Sequence, residues 1–448
     1  MAATAPESLI FGDLFGTPAM RTVFDDTSLA RRWAEAEAAL AEAQAECGLI
    51  PRPAARAISA AARGFSPDLR RLGERTVLVG YPIVELVRQL GQAVPEEARG
   101  FVHWGATTQD IMDTAVVLQL RDALALVEAD IAVIRAELAR LARLHRDTPM
   151  PGRTHLQHAL PVTFGQKAAI WLDAFDRHAE RIVQAKPRLL RAQLGGAAGT
   201  LASMGEQGLA VRAGFARALG LAEAPITWHV ARDALAEIVF VLALAGSTLA
   251  KAATDIMLMC MDEIFEAREP FVTGRGSSST MPQKANPIAC EVIVACARAL
   301  REKSSLLLDA GIADFERATG PWHLEWLALP DAFILASGML AQAKFLFGGL
   351  VLYPVNMARN LAITRGLILA EAAMMRLAPH TGRAEAHHIV YDACVRAREQ
   401  GTTLLAELQT DPKVTLHLDA AAIEAALDPA NYLGSAGAMV DRVLAGRG

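Results

Sequence analysis

The stretch DTAVVLQLRDALALVEADIAVIRAELARLARLHRDT, residues 113–148, decides the fold class. Its apolar side chains recur at alternating intervals of four and three residues; they are Leu120, Leu124, Val127, Ile131, Ile134, Leu138 and Leu141. Because an α-helix turns once in about 3.6 residues, this spacing puts them all on one face of a long helix. The stretch therefore predicts a helix whose apolar seam packs along other helices.

The same helical period returns in residues 171–194, 233–266 and 329–352, and no stretch reads comparably as a strand. The composition is rich in alanine and leucine and only 6% aromatic. Both features favour an all-α protein built round a long central helix bundle. We predict three helical domains: an N-terminal domain over residues 1–110, the bundle over 111–360 and a C-terminal domain over 361–448.

Length, composition and charge indicate what kind of partner the protein binds. The chain has 448 residues, 52% of them hydrophobic, and a net charge of -5 from 44 basic and 49 acidic residues that are interspersed. No basic stripe is offered to nucleic acid or to a membrane surface, so a small solute is the expected partner. The longest apolar run, residues 238–250, is shorter than the roughly 20 residues that cross a bilayer, and we interpret it as a helix buried on all sides.

Cysteine usage and the N-terminus concern the compartment. The five cysteines form no CxxC pair and make an odd number, which argues against a disulfide framework. The first residues carry no basic residue before Arg21 and no long apolar core, so they do not read as a secretory signal. We expect a cytoplasmic protein.

Residues suited to acid–base chemistry crowd the junctions between helices. The junctions are VHWGATTQDIMDT (102–114), PGRTHLQHALP (151–161), GRGSSSTMPQKANP (274–287) and DFERATGPWHLEW (314–326). A threonine or serine before a helix is commonly only an N-cap. Four such junctions in one chain favour a functional site.

These junctions resemble those of the fumarase/aspartase superfamily, and most closely its 3-carboxy-cis,cis-muconate cycloisomerase branch. Residues 278–287 are similar to the superfamily loop SSxMPxKxNP, and FGTPAMRTVFDD (15–26), WHVARD (228–233) and the other junctions follow in the branch's order. The resemblance covers nearly the whole chain. It implies proton abstraction next to a carboxylate and loss of a group from the neighbouring carbon, without a metal or an organic cofactor.

The resemblance also implies roles in catalysis. Proton abstraction creates an aci-carboxylate dianion, which requires donors and cations where the charge develops. Ser278 would be the general base, with Lys284, Asn286 and the loop N–H groups stabilising both anions. One departure is Ser277, which stands where the family has glycine; Gly276 precedes it, so the hinge would lie one residue earlier and a neighbouring serine could compete as base.

His155 is a second departure, because eliminating lyases carry histidine after GRT whereas lactonising members commonly carry Trp or Leu. A histidine can donate a proton to a leaving group near neutral pH. Substrate carboxylates would be held by residues that the family pattern places in the site: Thr107, Thr108, Gln109, Thr154, Ser279 and Met281, with Arg21, Arg153 and Arg317 as candidate forks. The roles of His103, His158, His229 and His323 stay open.

The function that follows is a cofactor-free β-elimination from a succinate-type di- or tricarboxylate, releasing fumarate or a similar acid. Lactonisation of 3-carboxy-cis,cis-muconate is the alternative enzyme activity, and an inactive structural homologue is the alternative of another class. The leaving group is not encoded in any motif. The resemblance further implies a homotetramer in which three chains share each active site, and the apolar seam together with the helices after Glu237 and Pro330 suggests association through the bundle.

Overall fold

The computed structural model describes residues 4–277, 280–281 and 283–446. Most of them are helical. The α-helices before the first strand are α1 (Gly12–Phe15), α2 (Pro18–Phe24), α3 (Asp26–Glu46), α4 (Arg52–Arg63), α5 (Leu69–Val79), α6 (Ile83–Ala93), α7 (Glu96–Arg99) and α8 (Thr108–Leu144). Those in the middle are α9 (Phe164–Leu189), α10 (Gly208–Ala218), α11 (Asp233–Met259), α12 (Ile288–Ala310) and α13 (Pro321–Gly349).

The C-terminal part is built of shorter helices. They are α14 (Pro354–Ala362), α15 (Ala370–Thr381), α16 (Arg383–Gln400), α17 (Leu404–Thr410), α18 (Pro412–Thr415), α19 (Ala420–Ala426) and α20 (Ala436–Leu444). Short 3-10 helices lie at Ala5–Glu7, Ala202–Gln207, Leu367–Leu369 and Pro429–Tyr432. The predicted all-α fold class is confirmed.

Two compact units divide the chain. One comprises the described residues of Met1–Ala132, Arg177–Ala250 and Val292–Gln342, and the other those of Val133–Asp176, Lys251–Glu291 and Ala343–Gly448. Helices α8, α9, α11, α12 and α13 each contribute residues to both units, which is why the chain crosses from one to the other repeatedly. The three-domain division at residues 110 and 360 stays a prediction.

The long helices pack against each other inside each unit. In the first unit, a Cβ on Gly246 of α11 would lie 3.2 Å from Met339 Sδ of α13 and 3.5 Å from Ala297 Cα of α12, so the glycine lets three helices approach closely. In the second unit, Arg135 Nε of α8 donates to Asp176 Oδ1 of α9 over 2.7 Å. Close backbone approach and ion pairs between helices are the contacts expected of a helical core.

The seam of α8 is buried as predicted, since each of its apolar residues is at most 1% exposed. The single chain thus already covers this face, and the seam is not spare surface for association. The helix that contains Glu237, α11, is less buried than expected. Phe240 is 51% exposed, so the prediction that this helix is buried on all sides is wrong: one face of α11 remains uncovered by the chain itself.

By length and composition α11 and α13 would suffice to cross a membrane. Their most apolar windows are 56% and 67% buried inside the protein, which is what core helices of a globular protein show. We therefore treat both as core helices.

Short strands, which the sequence did not predict, form three pairs among the described residues. Strands β1 (Pro149–Thr154) and β2 (Gln157–Thr163) make an antiparallel hairpin with Thr154 opposite Gln157. Prolines 149, 151 and 161 disfavour a helix here, because proline lacks the N–H that a helix interior needs. The other pairs are β3 (Arg191–Ala192) with β4 (Ala222–Glu223), and β5 (Ala267–Arg268) with β6 (Val351–Leu352).

Candidate active site

In the first unit, the junction before α8 is organised around Asp110, which is fully buried. Its Oδ2 accepts the backbone N–H groups of Thr107 and Gly196, both over 2.9 Å. Its Oδ1 accepts the Gly195 N–H over 2.8 Å and lies 2.8 Å from His229 Nε2. One carboxylate thereby ties the start of α8 to the glycine-rich segment 195–199 and to the segment that carries His229. Residues 102–114 and 228–233 are separate motifs in the sequence, and the structure brings them together.

Gln109 and His229 fill the interior of this junction. The Gln109 side-chain amide donates to the His229 carbonyl over 2.9 Å, and both side chains are buried. Gln109 Oε1 and His229 Nδ1 are buried without a hydrogen-bond partner among the described residues. This geometry favours a supporting role for Gln109 over the direct carboxylate contact that we expected.

Thr107 and Thr108 lie at the N-terminal end of α8 and are half-buried. Within the described part of the chain, neither hydroxyl has a hydrogen-bond partner. The N-terminus of a helix offers N–H groups and a favourable dipole to an anion. Both hydroxyls are therefore available to a carboxylate, and their role in substrate binding stays a prediction.

His103 precedes these threonines and is paired with Glu37 of α3, whose Oε1 lies 2.6 Å from His103 Nδ1. Burial opposes charge on the imidazole. The charge of Glu37 and its hydrogen bond outweigh burial, Asp110 adds to them, and together they raise the pKa of His103. Sequence reasoning missed Glu37, which lies among the buried alanines of α3.

Arg317 reaches the same junction. Its Nη2 donates to the carbonyl of Ala197, in the segment that Asp110 holds, over 2.8 Å. Its remaining N–H groups have no partner among the residues described, so the guanidinium retains donors for an anion. Arg21 is placed differently: it donates to the Gly12 carbonyl over 2.9 Å and pairs with Asp13. That geometry favours a role for Arg21 in holding the N-terminal segment.

In the second unit, Thr154 and His155 lie at the turn of the β1–β2 hairpin and are exposed. The turn residues His155 and Leu156 have φ of 50° and 62°, the left-handed conformation that a type I′ hairpin turn requires. Such a conformation costs about 1–3 kcal/mol for a residue other than glycine and clusters at functional sites. Leu156 is 81% exposed, so the residues of the chain itself leave the turn largely uncovered.

Arg153, one residue before, is engaged inside the unit. Its guanidinium donates to both oxygens of the fully buried Glu266, over 2.9 and 2.7 Å. Asn360 Nδ2 donates to the same carboxylate over 2.8 Å. Because the guanidinium of Arg153 is already paired with a buried carboxylate, the geometry favours a structural role for Arg153 over the expected substrate contact.

His158 faces Arg153 across the hairpin. Burial, and secondarily the charge of Arg153, lower the pKa of its imidazole, although Glu266 opposes them. His158 is therefore neutral near neutral pH. Its Nδ1 is buried and finds no partner in the described part of the chain.

His323 lies in the first unit, where its ring centroid is 4.4 Å from that of Trp326 in an aromatic cluster with Tyr81.

The loop of residues 274–287 contains the expected general base. Ser278 and Ser279, as well as Pro282, lie outside the described residues. The flanks of the loop pair with each other: Ser277 bridges Ala285, and the Asn286 N–H donates to the Gly276 carbonyl over 2.9 Å. Gly276 has φ of 70°, and a Cβ there would lie 2.6 Å from the Asn286 oxygen. Glycine is required at this position, which fits a hinge one residue earlier than the family pattern.

A cavity of about 630 Å³ lies beside this loop, with Ser277, Met281, Lys284 and Asn286 in its wall. Lys284 is exposed. Glu269, also in the wall, accepts the backbone N–H groups of Ala289 and Cys290 at the start of α12 over 3.0 and 2.8 Å. Sequence reasoning missed Glu266 and Glu269. The helical period was predicted to continue to residue 266, whereas α11 ends at Met259 and both carboxylates lie in the non-helical segment that follows.

Comparison with known proteins places this arrangement in a family. A family model described as "Lyase" matches residues 15–300, and one described as "Adenylosuccinate lyase C-terminus" matches residues 366–443. A crystal structure of a fumarate lyase from Mesorhizobium sp. BNC1 has a TM-score of 0.92 at 55% identity and covers 97% of this chain and 99% of its own.

Curated relatives carry different activities. Trans-aconitate decarboxylase 1 of Mycosarcoma maydis is 44% identical over 96% of this chain and 88% of its own length. A 3-carboxy-cis,cis-muconate cycloisomerase of Pseudomonas aeruginosa is 44% identical over 98% of this chain and 96% of its own. Nitrosuccinate lyase of Streptomyces davaonensis is 40% identical over 100% and 96%.

The helical fold and these similarities define a lyase. The chain belongs to the fumarase/aspartase superfamily, in the branch that includes the 3-carboxy-cis,cis-muconate cycloisomerases. The resemblance seen in the junction motifs is confirmed.

Proposed function

We propose that the protein catalyses β-elimination from a succinate-type di- or tricarboxylate through an aci-carboxylate intermediate, and releases fumarate or a similar unsaturated acid. The observation that carries this proposal is His155, an acid suited to a leaving group, exposed at a hairpin turn in a strained conformation. Relatives named nitrosuccinate lyase and N-acetyl-S-(2-succino)cysteine lyase support elimination as a chemistry of this branch.

The proposed steps act on two neighbouring carbons of the substrate: one loses a proton and the other loses the leaving group. Ser278 removes the proton next to a carboxylate, and the second negative charge on that carboxylate is stabilised by Lys284, Asn286 and loop N–H groups. His155 protonates the departing group on the neighbouring carbon. Thr107, Thr108 and Arg317 hold a carboxylate that does not react. No metal or organic cofactor takes part in these steps.

The site is proposed to be shared in a cytoplasmic homotetramer. In one site, the segments GATTQD, GRTHLQH and SSSTMPQKANP come from three different chains. Exposure of His155 and Leu156 supports this arrangement, because the turn of one chain can then enter the site of another.

Lactonisation of 3-carboxy-cis,cis-muconate is the second candidate, since a relative with that name is 44% identical along nearly the whole chain. The two candidates share the carboxylate-stabilising loop but differ at the carbon that loses or gains a bond. His155 favours elimination, because lactonisation has no external leaving group to protonate.

A substrate panel tests the proposal. Purified protein is incubated separately with fumarate plus ammonia, fumarate plus nitrite, trans-aconitate and 3-carboxy-cis,cis-muconate, and products are identified by NMR. The Ser278→Ala variant serves as the control for contaminating activities. We expect addition to fumarate without lactone formation. A lactone as the sole product would establish the cycloisomerase, carbon dioxide release from trans-aconitate a decarboxylase, and no turnover in any mixture would favour the inactive homologue.

A further inference from the structure

The pair Glu37–His103 has no place in the proposed steps, although His103 lies only a few residues before Thr107 and Thr108. Glu37 is 1% exposed, and its Oε1 lies 2.6 Å from His103 Nδ1. Its second oxygen, Oε2, is buried without any other partner in the described part of the chain. A buried carboxylate is costly unless it is paired, so the fold has committed Glu37 to this imidazole.

The other edge of the His103 ring faces a different environment. The side chain is 19% exposed, and Nε2 makes no hydrogen bond with any residue that the structure describes. The backbone of His103 has φ of 61°, an unfavourable value for a residue other than glycine. In this backbone conformation the Nδ1 of His103 is held by Glu37, and its Nε2 is available to a ligand.

Two carboxylates act on this ring from neighbouring elements. Glu37 contacts it from α3, and Asp110 adds its charge from α8; both raise the pKa of His103 against the effect of burial. Among the described residues these are the charged groups that influence the imidazole. The pair with Glu37 therefore favours the protonated ring, with an N–H on Nε2, over the neutral ring.

We propose that Glu37 is a positioning residue that keeps His103 charged, so that His103 Nε2–H holds a substrate carboxylate beside Thr107 and Thr108. A charge-assisted hydrogen bond is stronger and shorter than a neutral one, and a carboxylate is the anion that the neighbouring hydroxyls also fit. The assignment rests on the proposed function only in requiring that the substrate is a carboxylate. It does not depend on whether the reaction is elimination or lactonisation.

Glu37→Gln is the informative variant, because the amide oxygen can still accept from Nδ1–H while the charge is lost. The matched control is Glu42→Gln, an exposed glutamate on the same helix. Binding of fumarate and of trans-aconitate is measured by calorimetry from acid to alkaline pH. We expect Kd for the bound acid to rise about tenfold or more at neutral pH in Glu37→Gln, and to be unchanged in Glu42→Gln.

The pH dependence separates this role from a merely structural one. In the parent, binding weakens as pH rises through the raised pKa of His103. In Glu37→Gln the same weakening begins at a lower pH. Equal pH profiles for parent and variant, or no binding of either acid by the parent, would overturn the assignment. Failure of the substrate panel alone leaves these binding curves interpretable, so the two proposals fail separately.

Chemical modification supplies a readout without substrate. Diethylpyrocarbonate reacts with the neutral imidazole, and the His103 peptide is followed by mass spectrometry over the same pH range. We expect the reaction to begin at lower pH in Glu37→Gln than in the parent and in Glu42→Gln. Coincident curves count against the proposal. A ring that resists the reagent in every protein also counts against it, because a substrate must reach the same nitrogen.

Discussion

Among single residues, Ser278 bears the largest expected effect on turnover. Ser278→Ala should lower kcat by about 10³ or more while carboxylate binding persists, because the lost group acts mainly in the transition state. The comparison is with Ser277→Ala, since the Ser277 hydroxyl donates to the Gly274 carbonyl over 2.9 Å and is thereby engaged within the loop. Single-turnover kinetics measure the rate of the chemical step, and calorimetry measures carboxylate binding. If Ser277→Ala proves to be the inactive protein, the base has been assigned one residue too late.

His155 is the residue that separates the two enzyme candidates. His155→Leu should cripple elimination far more than it weakens binding, because the leaving group loses its proton donor. The side chain is exposed, so the core of the chain is not disturbed. His387→Leu, on the exposed side of α16, is the matched control. Unchanged turnover of 3-carboxy-cis,cis-muconate in His155→Leu, with no addition to fumarate by the parent, would contradict the preference for elimination.

The sequence selected candidate site residues at the junctions but did not reveal their partners within the chain. Thr107, Thr108 and Arg317 have donors without partners among the described residues, and their role in holding an anion stays a prediction. Arg153 is instead committed to Glu266, which is distant in sequence, and no local pattern reveals an ion pair between residues so far apart. Ser278 and Ser279 lie outside the described residues, so their roles stay predictions.

At the scale of elements, periodicity predicted the long helices because their burial repeats with the helical turn. It failed for the β1–β2 hairpin, whose strands are short, proline-rich and stabilised by hydrogen bonds across the turn rather than by a repeating apolar pattern. It also failed for the outer face of α11, where Phe240 is exposed although its neighbours along the chain are apolar. Composition alone does not distinguish a face that the chain covers from one that it leaves open.

The 274–287 loop offers a test at this scale. Gly276→Ala should abolish most turnover, because the new Cβ would meet the Asn286 oxygen at 2.6 Å in a backbone conformation that alanine disfavours. Gly274→Ala is the matched control: its φ of 81° carries the same backbone strain, but a Cβ there meets nothing within 4 Å. Thermal unfolding should separate the loop from the core, with Tm nearly unchanged in both variants. Equal activity of the two variants would show that closure of the loop flanks is unimportant.

For the whole molecule, the seam of α8 no longer argues for association, since the chain buries it. Other apolar side chains remain exposed on the long helices: Ile170 and Val183 of α9, Phe240 of α11 and Leu327 of α13. Association of chains would bury these side chains, and the homotetramer stays a prediction.

Sharing of sites gives the assembly a measurable consequence. Ser278→Ala and His155→Ala place their lesions on different chains of each site if the proposal is right. Mixed after gentle dissociation and reassembly, the two inactive proteins should recover up to about a quarter of parental activity, because random mixing leaves that fraction of sites intact. Each variant reassembled alone is the control. A monomer by light scattering, or hybrids verified by mass spectrometry that stay inactive, would show that each chain builds its own site.

The hydrogen bonds of Asp110 also bear on the order of events during folding. Its partners Gly195, Gly196 and His229 follow it by 85, 86 and 119 residues. Contacts between residues so far apart must await closure of long chain segments, whereas helical turns form locally and early. A refolding chain should therefore regain its helical circular dichroism before it regains the capacity to bind a carboxylate. The lag between the two signals would measure how late this half of the active site is completed.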